Sequence, residues 1–181
     1  QDQLEHIAHY DVLTNLPNRV LLTDRLNQSM LHSRRHKNLL AVAFLDMDGF
    51  KLVNDTYGHN TGDKLLVAFS ERISEALRES DTLARIGGDE FIFTIADLVK
   101  VEDSIPVLER LLHSLRSPIT VGEITLKISA SVGVAIYPRD SDDADILIRK
   151  ADHAMYSAKQ AGKNRYHIFD SIQDQAAVTQ R

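Results

Sequence analysis

The sequence contains no cysteine among its 181 residues. Disulfide bonds, thiolate metal sites and cysteine nucleophiles are therefore excluded, and we expect a cytosolic location. Long apolar runs are also missing, since a stretch such as 39–45 is far below the roughly 20 residues that a membrane-spanning helix needs. The N-terminus shows no basic segment followed by an apolar one, so we expect neither a secretory signal nor membrane contact by this segment.

A basic excess is missing as well. The formal net charge of −5 argues against binding to a nucleic-acid polymer, because proteins that follow a phosphate backbone carry an excess of lysine and arginine. The basic run Arg34-Arg35-His36-Lys37 is typical of the solvated last turn of a helix, where cations complement the helix dipole. The hydrophobic content of 43% is ordinary for a globular protein and allows one buried core.

Helical and strand patterns alternate along the chain. Helices are predicted at 1–10, 19–37, 49–57, 61–79, 101–115 and 142–161, and strands at 39–46, 82–86, 91–95, 119–121, 123–137 and 166–169. This mixed order, with at least one hairpin, predicts an α/β (α+β) sandwich with a mainly antiparallel sheet. We expect a connector helix at 1–10, one domain at 11–170, and a tail or linker at 171–181.

Two acidic segments each lie where a predicted strand ends. The first is Asp46-Met47-Asp48, and the second is Gly87-Gly88-Asp89-Glu90-Phe91, in which two glycines allow a tight hairpin turn. If the two strands are neighbours, Asp46 and Asp89 converge, and the Met47 carbonyl completes a set of oxygen ligands suited to Mg²⁺. The spacing is equally compatible with two acidic turns that face water.

The second acidic segment resembles the signature of the GGDEF family of diguanylate cyclases. Four other segments resemble motifs of this family in the same order: 11–19 (DVLTNLPNR), 44–63 (FLDMDGFKLVNDTYGHNTGD), 131–135 (SVGVA), and 151–156 (ADHAMY) with the lysine-containing segment 159–165 after it. The resemblance covers about 4–169, nearly the whole chain. It implies a central, mainly antiparallel five-stranded sheet flanked by helices, similar to the palm fold of nucleotidyl cyclases and polymerases.

The resemblance implies an enzyme that joins two GTP molecules into cyclic di-GMP, releases two pyrophosphates and works as a homodimer. It places Asp46, the Met47 carbonyl and Asp89 on Mg²⁺ or Mn²⁺, and it makes Asp89 or Glu90 the group that takes the proton of the attacking hydroxyl. Further positions that match the family's substrate contacts are Asn54 and Asp63 for guanine, His59 for the nucleotide, and Lys51, Lys159 and Lys163 for phosphate.

Some of these positions have simpler explanations. A carboxylate such as Asp63 accepts from two neighbouring N–H groups of guanine that adenine does not offer, which supports its role. For His59 the alternative is a cap of the turn after Gly58, and for Lys51 it is a solvated lysine. Lys163 stands where the family commonly has arginine, so a point charge replaces a bidentate fork.

Arg78-Glu79-Ser80-Asp81 has the spacing of the family's inhibitory RxxD site. Arginine stacks on guanine and aspartate accepts from the guanine edge, so Arg78 and Asp81 suit cyclic di-GMP, the product, as an inhibitor. The alternative is a surface ion pair. The resemblance further implies an upstream sensor domain and, in many such proteins, a downstream EAL phosphodiesterase domain. The alternative function is a non-enzymatic domain that binds GTP or cyclic di-GMP and regulates such a partner.

Overall fold

The computed structural model describes residues 2–172 and residue 174. The strands of its central sheet are β1 (Leu39–Met47), β2 (Leu83–Gly87), β3 (Glu90–Leu98), β6 (Ala130–Tyr137) and β7 (Arg165–Ile168); β4 (Ile119–Val121) and β5 (Ile124–Leu126) form a separate hairpin. The order in the five-stranded sheet is β2-β3-β1-β6-β7. The β6–β7 pair is parallel and the other three pairs are antiparallel, which confirms the predicted α+β architecture with a mainly antiparallel sheet.

Helices cover both faces of the sheet. They are α1 (Asp2–His9), α2 (Arg19–His36), α3 (Phe50–Tyr57), α4 (His59–Ala76), α5 (Ile105–Arg116) and α6 (Ala144–Gln160). Asn18 and Asp143 begin α2 and α6 as N-caps, because their side chains accept from backbone amides of the first turn. Among the described residues, no helix combines the length and the apolar character needed to cross a bilayer.

Several boundaries differ from those predicted. The segment 123–137 is not one strand, because β5 ends at Leu126 and β6 begins at Ala130 in the other sheet. Helix α4 begins directly after Gly58, whose positive φ of 91° turns the chain without the three-residue break that the sequence indicated. A 3-10 turn at Val101–Ser104 precedes α5.

β1 is the central strand, and its side chains alternate between the two faces of the sheet. Ala41, Ala43 and Leu45 belong to the apolar layer under α3, α4 and α5, whereas Val42 and Phe44 belong to the layer under α2 and α6. Because Asp46 continues the second series, its side chain lies on the α6 face at the end of the strand. The alternation therefore sends this acid toward α6 rather than toward α4.

Helix α6 rests directly on β6. A Cβ at Gly133 would lie 1.9 Å from the Met155 amide nitrogen and 2.1 Å from the Ala151 carbonyl oxygen, so no side chain fits between strand and helix at this point. The close approach fixes the height of α6 above the sheet. It also fixes the position of Lys159, in the last turn of the helix, beside the end of β1.

The two ends of the chain are described only in part. Residue 1 of the expected connector helix lies outside the described residues, as do 173 and 175–181 of the expected tail. Asp174 is buried, and its carboxylate accepts from Ser157 Oγ at 2.9 Å and lies 3.1 Å from His167 Nε2. The division into connector, domain and tail stays a prediction.

Candidate functional site

The acids of the two segments meet at one end of the sheet. In the antiparallel pairing of β1 with β3, Asp46 lies opposite Glu90, and the Met47 amide donates to the Asp89 carbonyl at 3.2 Å. The carboxyl groups of Asp46 and Asp89 are near enough for Asp46 to affect the ionisation of Asp89. The end of β1 and the start of β3 thus bring together the residues predicted to bind the metal.

The pKa of Asp89 responds to this crowding. Burial, together with the neighbouring carboxyl group of Asp46 and its negative charge, raises the pKa of Asp89 to about 7, although the ammonium of Lys159 acts in the opposite direction. Two carboxylates at this distance repel each other when both are ionised. A cation placed between them relieves the repulsion and favours loss of the proton.

Asp46 has one oxygen occupied and one free. Lys159 of α6 forms an ion pair with Asp46 Oδ2. The other oxygen, Asp46 Oδ1, is buried and has no hydrogen-bond partner in the described part of the chain. Leaving a buried carboxylate oxygen unpaired is costly, so its position indicates a ligand that brings positive charge.

A divalent cation fits this arrangement. Asp46 and Asp89 offer hard oxygen ligands, and proteins commonly hold Mg²⁺ through one or two carboxylates together with substrate phosphates. Within 2–172 and 174, no group of three or more aspartate, glutamate, histidine or cysteine side chains is arranged to hold a metal ion.

A second unpartnered acceptor lies between α3 and α4. Asn54 Oδ1 is buried and makes no hydrogen bond in the described structure. It rests against Gly62, where a Cβ would lie only 1.8 Å away. The next residue, Asp63, is exposed on the same helix. Asn54 is therefore in contact with the residue before Asp63, and the missing side chain at Gly62 provides the room.

The remaining predicted substrate residues lie around these two points. Lys51 is on α3 one turn before Asn54, His59 is the first residue of α4, and Lys163 is in the turn after α6. All three side chains are exposed, and none has a hydrogen bond or ion pair to another described residue. They are available to a ligand, but no hydrogen bond or ion pair joins them to Asp46 or Asp89.

One member of the predicted inhibitory pair, Asp81, has a structural role. The Asp81 carboxylate accepts from the Arg78 amide at 3.0 Å and from the Ala96 amide at 2.9 Å, and its side chain is 1% exposed. The guanidinium of Arg78 donates to the Ala96 carbonyl at 2.6 Å, yet the Arg78 side chain is 55% exposed. Arg78 is thus the part of the pair that an incoming ligand can reach.

Sequence reasoning missed Arg85, which joins the N-terminal motif to the glycine hairpin. Its guanidinium donates to both Asp11 oxygens at 3.0 and 3.1 Å and to the Gly88 carbonyl at 2.9 and 3.0 Å. Burial alone raises the pKa of Asp11, but hydrogen bonds from Thr14 and Arg85 hold it below its usual value. Arg85 therefore steadies the turn that precedes Asp89. The sequence features that could have indicated this contact were an acid in 11–19 and an arginine two residues before Gly87.

Sequence reasoning also missed the role of Asp48, the second acid of the first acidic segment. Its side chain faces Ser129, Ser131 and Asn164 and accepts a hydrogen bond from each. The sequence offers two acids two residues apart without distinguishing them. The structure separates them, because Asp46 keeps a free oxygen and Asp48 is engaged by the protein itself.

Comparison with known proteins assigns this geometry to a family. A family model described as "Diguanylate cyclase, GGDEF domain" matches residues 8–165. The chain belongs to the GGDEF family. The predicted membership, made from the five motifs, is thereby confirmed.

Relatives of this GGDEF domain occur in longer proteins. The bifunctional diguanylate cyclase/cyclic di-GMP phosphodiesterase MucR of Pseudomonas aeruginosa is 43% identical over 98% of this chain and 26% of its own length. The diguanylate cyclase TpbB of the same organism is 40% identical over 88% of this chain and 37% of its own length. The chain spans well under half the length of these relatives.

The fold is shared with a solved GGDEF domain. The structure of the GGDEF domain of TpbB, also called YfiN, superimposes with a TM-score of 0.90 at 37% sequence identity and covers 94% of this chain and 99% of that one. The five-stranded, palm-like architecture expected from the motifs is therefore confirmed.

Proposed function

We propose that this GGDEF domain is a diguanylate cyclase that condenses two GTP molecules into cyclic di-GMP. The observation that carries the proposal is the convergence of Asp46 and Asp89, with an unpartnered buried oxygen on Asp46, at the end of the sheet. Diguanylate cyclases among the relatives support it. The site offers the oxygen ligands and positive charge that a nucleoside triphosphate needs.

The reaction forms a phosphodiester in each half. The 3′-hydroxyl oxygen of one GTP attacks the α-phosphorus of the other, the bond from that phosphorus to the bridging oxygen breaks, and pyrophosphate leaves. Asp46, the Met47 carbonyl and Asp89 would hold Mg²⁺ or Mn²⁺, which, when bound, neutralises triphosphate charge and makes the attacking hydroxyl more acidic. Lys159, beside Asp46, and Lys163 supply further positive charge for the phosphates.

The proton of the attacking hydroxyl needs an acceptor. Asp89 and Glu90 are the candidates, since Glu90 lies opposite Asp46 across the strand pair and Asp89 is next to it. The pKa of about 7 belongs to Asp89 in the metal-free domain; a cation between the two acids favours the carboxylate, which is the form that accepts a proton.

Guanine selection is assigned to Asn54 and Asp63. The free Oδ1 of Asn54 accepts a hydrogen bond, and the exposed Asp63 carboxylate accepts from the N1–H and exocyclic amino groups that guanine presents together. Adenine has no such pair of donors, so a site built around these acceptors rejects ATP. Lys51 and His59, exposed on the same two helices, are assigned to the rest of the nucleotide.

Catalysis requires two copies of the domain, because each holds one GTP and the two must face each other. Helix α1 supports pairing through its exposed apolar side chains Leu4 and Ile7. In the whole protein an upstream sensor would control that pairing, and an EAL domain would follow. Product inhibition is assigned to Arg78, whose exposed guanidinium reaches solvent, with Asp81 holding the backbone in place.

The test uses the domain fused at α1 to a dimeric leucine zipper, incubated with GTP and Mg²⁺ and analysed by chromatography. We expect cyclic di-GMP from the unmodified fusion and from Glu71→Ala, an exposed control on α4, and none from Asp89→Ala or Glu90→Ala. Undiminished turnover in both site variants would refute the assignment. GTP binding without product in the fusion would support the non-enzymatic regulatory alternative instead.

A further inference from the structure

Asp48 joins three parts of the chain that are far apart in sequence. Its carboxylate accepts from Ser129 Oγ at 2.6 Å, from Ser131 Oγ at 2.7 Å and from the Asn164 amide at 3.0 Å. Its own amide donates to the Ser129 carbonyl at 2.9 Å. Hydrogen bonds to an ionised carboxylate are about twice as strong as neutral ones, so this is a strong junction between β1, β6 and the turn after α6.

The turn after α6 has an unusual backbone. Lys163 (φ 62°) and Asn164 (φ 54°) are consecutive non-glycine residues in the left-handed region. Non-glycine residues are disfavoured in this region, and two in succession persist only where their surroundings fix them. Three side chains hold this turn: Asp48 accepts from the Asn164 amide, Arg116 donates to the Asn164 side-chain oxygen at 2.7 Å, and Arg165 donates to the Lys163 carbonyl at 2.9 Å.

The two acids of the first segment therefore have different uses. Asp46 retains a buried oxygen without a partner, as a metal ligand requires. Asp48 places both oxygens on protein donors, with Oδ1 on Ser131 and Oδ2 on Ser129 and Asn164. A cation at Asp48 would have to break these contacts.

We propose that Asp48 is a positioning residue for phosphate binding: its carboxylate fixes the left-handed turn at 162–164 and so presents Lys163 to the triphosphate, without binding the metal. This role rests on the proposed function, since it requires a bound nucleotide. The Lys163 side chain is exposed and makes no hydrogen bond or ion pair to another described residue, so its usefulness to a ligand depends on the backbone that carries it. A lysine on a fixed turn loses less conformational freedom on binding than one on a loose loop.

The test compares Asp48→Asn with Asp140→Asn. Asp140 is a matched control, because it also accepts a backbone hydrogen bond, from Ile136 at 2.7 Å, but follows the opposite end of β6. Binding of a GTP analogue with a methylene group between the α- and β-phosphorus is measured by calorimetry with Mg²⁺. We expect Asp48→Asn to weaken binding roughly tenfold or more and Asp140→Asn to leave it unchanged.

A double-mutant cycle with Lys163→Gln identifies the route of the effect. Lys163→Gln should weaken analogue binding about tenfold in the unmodified protein and less than about twofold in Asp48→Asn, because the lysine is already misplaced there. Asn164→Gly, which relaxes the turn without altering the core, should give a smaller loss of the same kind. Equal effects of Lys163→Gln in both backgrounds overturn the positioning role.

Metal binding separates this role from the alternative that Asp48 is itself a ligand. Mn²⁺ titrations followed by electron paramagnetic resonance, without nucleotide, should give the same affinity for Asp48→Asn as for the unmodified protein and a clear loss for Asp46→Asn. A comparable loss in Asp48→Asn overturns the inference. Absence of analogue binding by the unmodified protein overturns the proposed function and this role with it, whereas binding without coupling to Lys163 overturns this role alone.

Discussion

Replacing Gly62 by alanine should separate nucleotide binding from stability. The new Cβ would lie 1.8 Å from Asn54 Oδ1 and 2.9 Å from Asn54 Cγ, whereas non-bonded heavy atoms sit about 3.5 Å apart. The nearest atoms belong to the end of a side chain, so Asn54 can rotate away while α3 and α4 stay in place. The perturbation therefore removes the Asn54 amide from its present position without removing the amide itself.

The two consequences have opposite signs. Alanine is favoured over glycine in a helix interior by about 0.8 to 1.0 kcal/mol, so the free energy of unfolding should stay level or rise by up to that amount. If Asn54 binds guanine, its displacement removes one hydrogen bond, worth about 1 to 1.5 kcal/mol, and weakens GTP binding roughly tenfold. A variant that is at least as stable and binds worse points to the site rather than to the fold.

Urea denaturation and calorimetric titration with the GTP analogue measure the two quantities. Asn60→Ala, an exposed change on the first turn of α4, controls for helix propensity and should leave affinity unchanged. Asn54→Ala should match Gly62→Ala in affinity. If Asn54→Ala weakens binding and Gly62→Ala does not, the steric reasoning is wrong; if neither does, Asn54 is not at the nucleotide.

Two further predictions concern the acid pair and the packing of α6. Because the pKa of Asp89 is raised from 3.8 to about 7, the folded metal-free protein binds this proton more tightly than the unfolded chain, so the contribution of Asp89 to stability should fall as pH rises from about 4 to 7. Urea denaturation across this pH range, with Asp89→Asn as reference, measures how the contribution of Asp89 to stability changes with pH. Saturating Mn²⁺ should reverse the loss of stability. A contribution of Asp89 that grows with pH would contradict the proximity of Asp46. Gly133→Ala should destabilise the fold by about 3 kcal/mol or more, because the clash is with the backbone of α6; a loss below about 1 kcal/mol would show that the helix can lift.

Local patterns predicted the sheet and the convergence of two acids at its end. The apolar run of β1 ends in acid, and two glycines mark the hairpin before β3, so Asp46 and Asp89 could be expected to meet once the strands were taken as neighbours. The α+β class followed from the mixed order of elements. These features depend on periodicity and turn chemistry, which are visible within a few residues.

Contacts between remote segments could not be predicted in the same way. The ion pair of Lys159 with Asp46 spans 113 positions, and the Arg85–Asp11 pair spans 74. Both depend on how α6 and β2 pack, which no local pattern encodes. The engagement of Asp81 by backbone amides was hidden for the same reason, since its partner at 96 lies on a neighbouring strand.

The close packing of α6 on β6 at Gly133 limits how the ammonium of Lys159 can move. With the backbone of the helix in contact with the strand, the helix has no room to roll or slide inward, so the ammonium leaves Asp46 by rotation about its own side-chain bonds. Rotations of that kind take picoseconds to nanoseconds in partly exposed residues. Under the proposed function, Lys159 is a counter-ion that can give way to a cation by side-chain rotation alone, without movement of α6.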